Sequence, residues 1–110
     1  MKLAIFHPAA RAAIRLFPEE IRRELGKAIF DLQNGAVLIM PLSRPMSSVD
    51  PGVSELRIRD RSGIYRVFYY RRSSPGILVL HAFMKKTQTT PKRELDLAKR
   101  RLKELLDEKI

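Results

Sequence analysis

Cations alternate with apolar and aromatic side chains through the second half of the chain, and this pattern restricts the fold more than any other feature. Ser54-Glu55-Leu56-Arg57-Ile58-Arg59 is followed by Gly63-Ile64-Tyr65-Arg66-Val67-Phe68-Tyr69-Tyr70-Arg71-Arg72, and then by Leu80-His81-Ala82-Phe83-Met84-Lys85-Lys86-Thr87. Strand side chains have period 2, so each stretch places charge on one face and apolar groups on the other. Asp60-Arg61-Ser62-Gly63 is a short turn containing glycine and predicts an antiparallel hairpin. Ser73-Ser74-Pro75-Gly76 turns the chain again. Strands over 53–59, 64–72 and 77–85 then form a three-stranded antiparallel meander. Such a sheet holds its cations in fixed positions, as recognition of a polyanion, above all nucleic acid, requires.

The charge balance agrees. The 22 basic and 12 acidic residues give +10 over 110 residues, and 45% hydrophobic content is that of a globular chain rather than a disordered one. The first 50 residues hold 7 basic and 5 acidic groups and the last 60 hold 15 and 7, so the excess belongs to the second half, which contains the meander. This length suits one domain spanning residues 1–110. Cysteine is absent, which excludes disulfides, zinc–thiolate sites and a cysteine nucleophile. No apolar run approaches the ~20 residues that span a bilayer, and the run before Pro8 is too short for a signal peptide. The expectation is a cytoplasmic protein with no membrane partner.

Leu3 to Phe6 reads as a short strand. Pro8 opens a helix through Phe17, and Pro18 ends it and opens a second, with Glu19 and Glu20 in its first turn. Ile21, Leu25, Ala28, Ile29 and Leu32 make the buried stripe of that helix, and Asn34-Gly35 stops it. The pair reads as a helical hairpin. Residues 36–52 contain Pro41, Pro45, Pro51 and Gly52 and read as a loop crossing the domain, with Ala36 to Met40 apolar enough to be covered. Thr90-Pro91 offers an N-cap hydroxyl and a proline at the first helical position. Leu95, Ala98, Leu102 and Leu105 form the docking stripe of a last helix. The fold class is α+β: short strand, two-helix hairpin, three-stranded meander, terminal helix.

A glycine-rich phosphate loop and a GxSxG turn are both missing. His7 and His81 stand in no metal-ligand spacing, so no metal and no cofactor is expected. Arginines and lysines with Glu55, His81, hydroxyls and tyrosines suit phosphodiester chemistry without a metal, because cations stabilise charge developing on phosphorus oxygens while a neighbour moves a proton. Parity places Glu55, Arg57 and Arg59 on one strand face and Leu56 and Ile58 on the other. On the next strand Arg66 lies with Phe68 and Tyr70, opposite Tyr65, Val67 and Tyr69. Leu56, Ile58, Tyr65 and Val67 are the core candidates, and Arg57, Arg59 and Arg66 are expected to share a solvent-facing groove. On the third strand His81, Phe83 and Lys85 oppose Leu80, Ala82, Met84 and Lys86, and either lysine could turn towards the groove.

Arg66 stands out because a cation between apolar neighbours in mid-strand needs a partner or a task. Glu55 reads first as the salt-bridge partner of Arg66 or Arg57, and second as a general base. His81 reads as a hydrogen-bonded strand residue or a catalytic one. Arg71 and Arg72 read as solvated charge.

Glu55-Leu56-Arg57, Gly63-Ile64-Tyr65-Arg66-Val67-Phe68-Tyr69, and Leu80-His81-Ala82-Phe83-Met84-Lys85-Lys86-Thr87-Gln88-Thr89-Thr90-Pro91 with Glu94, Ala98 and Arg101 resemble the phage-derived HigB-like branch of the RelE/ParE toxin superfamily. The element order resembles that superfamily's over nearly the whole chain. The resemblance implies a RelE-like fold and the toxin of a type II toxin–antitoxin pair. Such a toxin is a metal-independent endoribonuclease that cuts mRNA in the ribosome, the 2′-hydroxyl attacking the adjacent phosphate. It further implies that Arg66 stabilises the phosphorane, that Lys85 and Lys86 aid the leaving group or phosphate, and that Arg57 and Arg59 bind RNA or assist; Tyr70, as a stacking ring, and Lys92 are further candidate RNA contacts. RelE itself uses a tyrosine in its terminal helical region, whereas no tyrosine follows Tyr70 here, so Glu55, His81 or a lysine would have to move the proton. Implied partners are the ribosome, mRNA and a small helix-turn-helix, HigA-like antitoxin. ParE-like relatives implied by the same scaffold act by binding DNA gyrase, and a non-catalytic RNA-binding module is the other alternative.

Overall fold

Prolines set where the helices begin. In a computed structural model, which describes residues 1–74, 76–87 and 89–108, helix α1 (Pro8–Arg15) starts on Pro8 with His7 as its N-cap, the imidazole Nδ1 accepting from the Ala9 amide. Helix α2 (Glu19–Gln33) follows Pro18 and carries Glu19 and Glu20 in its first turn, where negative charge complements the exposed amides. It ends at Asn34, and Gly35 takes the left-handed φ of 92° that favours glycine. Pro75 of the expected turn and Gln88 of the quoted motif lie outside the described residues.

The meander is present as β3 (Val53–Asp60), β4 (Gly63–Tyr70) and β5 (Gly76–Lys85), but it is the middle of a larger sheet. Strand β1 (Leu3–Phe6) runs parallel to β5, and β2 (Ser43–Pro45) runs antiparallel to β3, giving the order β1-β5-β4-β3-β2. Two expectations for residues 36–52 therefore change. The segment contains an edge strand, where the missing N–H of Pro45 is tolerated. Val37, Ile39 and Met40 are exposed rather than covered; the segment's contribution to the α1/α2-side core is the partly buried Leu38. Strand β4 stops at Tyr70, leaving Arg71 and Arg72 outside it and exposed.

Helix α3 (Lys92–Asp107) lies on the other face of the sheet from α1 and α2, so each face has its own apolar layer. Leu56, Ile58, Tyr65, Val67, Tyr69, Ile77 and Val79 pack with Leu25, Ile29 and Leu32 of α2. Val53, Phe68, Leu78 and Leu80 pack with Ala98, Leu102 and Leu105 of α3. The four core candidates from parity are all in the first layer.

Parity along β5 needs one correction. Pairing steps from Tyr69↔Val79 to Phe68↔His81, so Leu80 is an extra, bulged residue. Leu80 and His81 consequently serve the same α3-side layer instead of opposing one another. Beyond the bulge the alternation resumes, with Ala82 in the α1/α2-side core and Phe83 packed on the α3 side.

Candidate functional site

The α3-side face is organised in cross-strand rows. Val53, Tyr70 and Leu78 form one row, Arg44, Glu55, Phe68 and His81 the next, Arg57, Arg66 and Phe83 the third, and Arg59, Ile64 and Lys85 the last. Hydrophobic residues dominate where α3 covers the sheet, and cations gather where it does not. Phe83, Phe68 and His81 make edge and stacked ring contacts between the two regions.

Glu55 is the hub of the charged rows and is fully buried. Its Oε1 accepts from Arg44 Nε at 3.0 Å and lies 3.6 Å from Arg57 Nε, and its Oε2 lies 3.5 Å from Arg66 Nη1. One carboxylate thus serves three guanidinium groups. Burial and the nearby charges of Arg44 and Arg66 draw Arg57 below the ordinary arginine pKa, yet an arginine stays protonated throughout the physiological range.

Arg66 is 0% exposed, which corrects its place in a solvent-facing groove. Thr87 and Thr90, between β5 and α3, lie against it. Its Nη1 donates to Thr90 Oγ1 at 2.8 Å, its Nη2 donates to the Thr87 carbonyl, and Thr90 Oγ1 in turn donates to Glu55 Oε2. Arg66 Nε is buried and makes no hydrogen bond among the described residues. The Thr90 hydroxyl is engaged here and does not cap α3; Pro91 takes the N-cap position without a side-chain bond. That differs from the expected hydroxyl cap with proline as first helical residue.

Arg57 and Arg59 do reach a groove. With Pro41 and Leu42 they line a cavity of about 250 Å³, and the Leu42 carbonyl accepts from the Arg57 amide at 2.8 Å. Lys85 is half-buried at the end of β5, two strands from Arg59 in the same row, and Lys86 beyond it is exposed. The groove therefore joins a restrained cation, Arg57, to the exposed Arg59, while Lys85 and Lys86 stand outside it at the open end of the sheet.

His81 is separate from this groove. It is buried beneath α3, its Nε2 2.7 Å from Glu94 Oε1 and its Nδ1 2.7 Å from Arg101 Nη1. Arginine has only donors, so Nδ1 accepts and the proton resides on Nε2, which donates to Glu94. Burial lowers the His81 pKa, with Arg101 opposing protonation and Glu94 favouring it. The side chain stays neutral and docks α3 to β5. Tyr70 lies at the far end of the face, packed against the α3-side core, and Lys92 is exposed in the first turn of α3, paired with Asp96 at 2.8 Å. Neither joins the arginine cluster.

Sequence reasoning missed Arg44, because the proline-rich segment around it shows no periodicity that would place it beside Glu55. It also missed the covering role of Thr87 and Thr90. Among the described residues, no group of three or more His, Cys, Asp or Glu side chains could hold a metal ion, and no helix is long and apolar enough to cross a membrane. What the arrangement can do is hold anionic oxygens between Arg57 and Arg59, with Arg57 itself held by Glu55.

The model of one protein family, described as "Phage derived protein Gp49-like (DUF891)", matches residues 12–103. No curated protein matches the chain.

Proposed function

The chain belongs to the Gp49-like family of phage-derived proteins, and on that premise we propose that it is the toxin of a type II toxin–antitoxin pair, a metal-independent endoribonuclease that cuts mRNA at the ribosome. The observation that carries this reading is the groove lined by Arg57 and Arg59 beside the Glu55-centred arginine cluster. Single-stranded RNA would lay its phosphates along Arg57, Arg59, Lys85 and Lys86, with affinity set mainly by charge. The 2′-hydroxyl of the RNA attacks the adjacent phosphate and gives up its proton to solvent water, while the bond from phosphorus to the 5′-oxygen breaks and a lysine ammonium protonates that oxygen, leaving a 2′,3′-cyclic phosphate and a 5′-hydroxyl. Arg57 stabilises the charge developing on the phosphorane, and the lysines serve the leaving oxygen. Arg66 reaches the phosphate only when the segment at Thr87 and Thr90 moves away; in the closed arrangement it orients Glu55. Glu55 is surrounded by cations and so acts as an anchor rather than as the free base.

Burial of both Arg66 and His81 favours one rival, a protein on this scaffold that acts by binding alone, as gyrase poisons do. Induced expression in host cells separates the two. The expected result is growth arrest with codon-phased 5′ ends on translated mRNA, abolished in a folded Arg57→Ala/Arg59→Ala variant. Growth arrest with intact mRNA and broken DNA would replace the ribonuclease with the binding protein.

A further inference from the structure

A second basic groove lies on the opposite face of the sheet, against β1 and α1. Its cavity of about 370 Å³ is lined by Ala4, Phe6, Arg11, Ile14, Arg15 and Arg22. Ala4, Phe6 and Ile14 form an apolar floor continuous with the α1/α2-side core. Arg11 and Arg15 are one helical turn apart on α1, and Arg22 projects from α2 with its Nε donating to the Phe17 carbonyl at 3.0 Å. That bond fixes the direction of Arg22 and leaves its two terminal nitrogens for another acceptor. Among the described residues, no carboxylate lies within ion-pair distance of Arg11, Arg15 or Arg22. By contrast, Arg23, the neighbour of Arg22, is paired with Glu19, and Arg44, Arg57 and Arg66 are all ion-paired with Glu55.

We propose that this groove docks an acidic amphipathic segment of a partner protein, with apolar side chains seated on Ala4, Phe6 and Ile14 and carboxylates paired to Arg11, Arg15 and Arg22. Charge complementarity selects the occupant: three guanidinium groups around one cavity, with no acid paired to them among the described residues, match carboxylates in bidentate geometry. The floor distinguishes peptide from nucleic acid. Sites for single-stranded nucleic acid offer aromatic faces on which bases stack, whereas here the single ring, Phe6, packs into the core layer and the remaining floor is aliphatic. The proposal stands apart from the ribonuclease reading, because the arginine cluster around Glu55 occupies the other face.

Fluorescence anisotropy with a labelled synthetic peptide of leucines spaced between glutamates tests it. Wild-type protein is expected to bind this peptide, and Arg11→Glu/Arg15→Glu to weaken binding by about tenfold or more. Arg71→Glu/Arg72→Glu changes the net charge equally at exposed positions elsewhere and is expected to leave the affinity within about twofold of wild type. A peptide with serine in place of leucine should bind more weakly to the wild type. Equal loss from the two double variants, or indifference to the leucines, would overturn the proposal by reducing the binding to diffuse charge. Selective loss of single-stranded RNA binding in the Arg11→Glu/Arg15→Glu variant, without peptide binding, would assign the groove to nucleic acid instead. Circular dichroism confirms that both variants, changed only at exposed positions, remain folded.

Discussion

Removing Glu55 from between Arg44, Arg57 and Arg66 leaves Arg66 as a buried cation with no carboxylate, while Arg44, whose side chain is 31% exposed, can turn to water. Breaking a buried pair at one member typically costs about 3–5 kcal/mol, whereas replacing both members with apolar groups costs far less. Glu55→Leu and Arg66→Met are therefore each expected to lower the urea midpoint sharply, and Glu55→Leu/Arg66→Met to recover much of that loss. Additive losses across the double-mutant cycle would show that the two side chains do not depend on each other. His81 makes a different residue-level prediction. Its folded pKa is depressed by burial below the ordinary 6.5, so the unfolded chain takes up a proton at a pH where the folded one does not. Its contribution is complete above about pH 6.5 and declines as pH falls below it. The stability lost between about pH 7.5 and about pH 5.5 should be larger in the wild type than in His81→Gln. Equal losses would show that His81 does not carry the acid sensitivity.

At the scale of elements, β1 depends on a glycine it does not contain. Gly76 pairs with Leu3 at the start of the parallel ladder, and a Cβ at Gly76 would collide with the Leu3 backbone carbonyl. Gly76→Ala is expected to destabilise the protein by about 1–3 kcal/mol. Hydrogen exchange should show the loss concentrated at β1, where the His7 amide, now donating to the Val79 carbonyl at 2.9 Å, would exchange faster. Uniformly faster exchange across all five strands would contradict a local effect. The bulge at Leu80 works at the same scale. It turns both Leu80 and His81 towards α3, so one inserted residue lets β5 supply an apolar contact and the polar Glu94–His81–Arg101 link to the same helix.

Across the whole molecule, charge is segregated by what covers the sheet. Where α3 docks, the face is apolar; beyond it, the same strands carry arginine and lysine. Binding to single-stranded RNA through that open end should weaken steeply with salt. Each phosphate contact contributes a slope of about −0.7 in log affinity against log salt, so Arg57→Gln/Arg59→Gln is expected to flatten the plot by about 1.4. An unchanged slope would move the RNA contacts away from this groove.

The element order apart from β2, the two helix starts at Pro8 and Pro18, the Gly63 hairpin and the inward set Leu56, Ile58, Tyr65 and Val67 were all legible from the chain alone. They follow from proline and glycine geometry and from period-2 or period-3.6 burial, which are local properties. The basic character of the α3-side face was legible for the same reason. Tertiary structure decided which charges meet. Arg44 reaches Glu55 because β2 pairs with β3 across a segment with no periodic signal, and Arg66 is sealed because Thr87 and Thr90, beyond β5, lie against it. Both are contacts between residues more than ten positions apart, and alternation reports only which side of a strand a residue faces, never what will cover it.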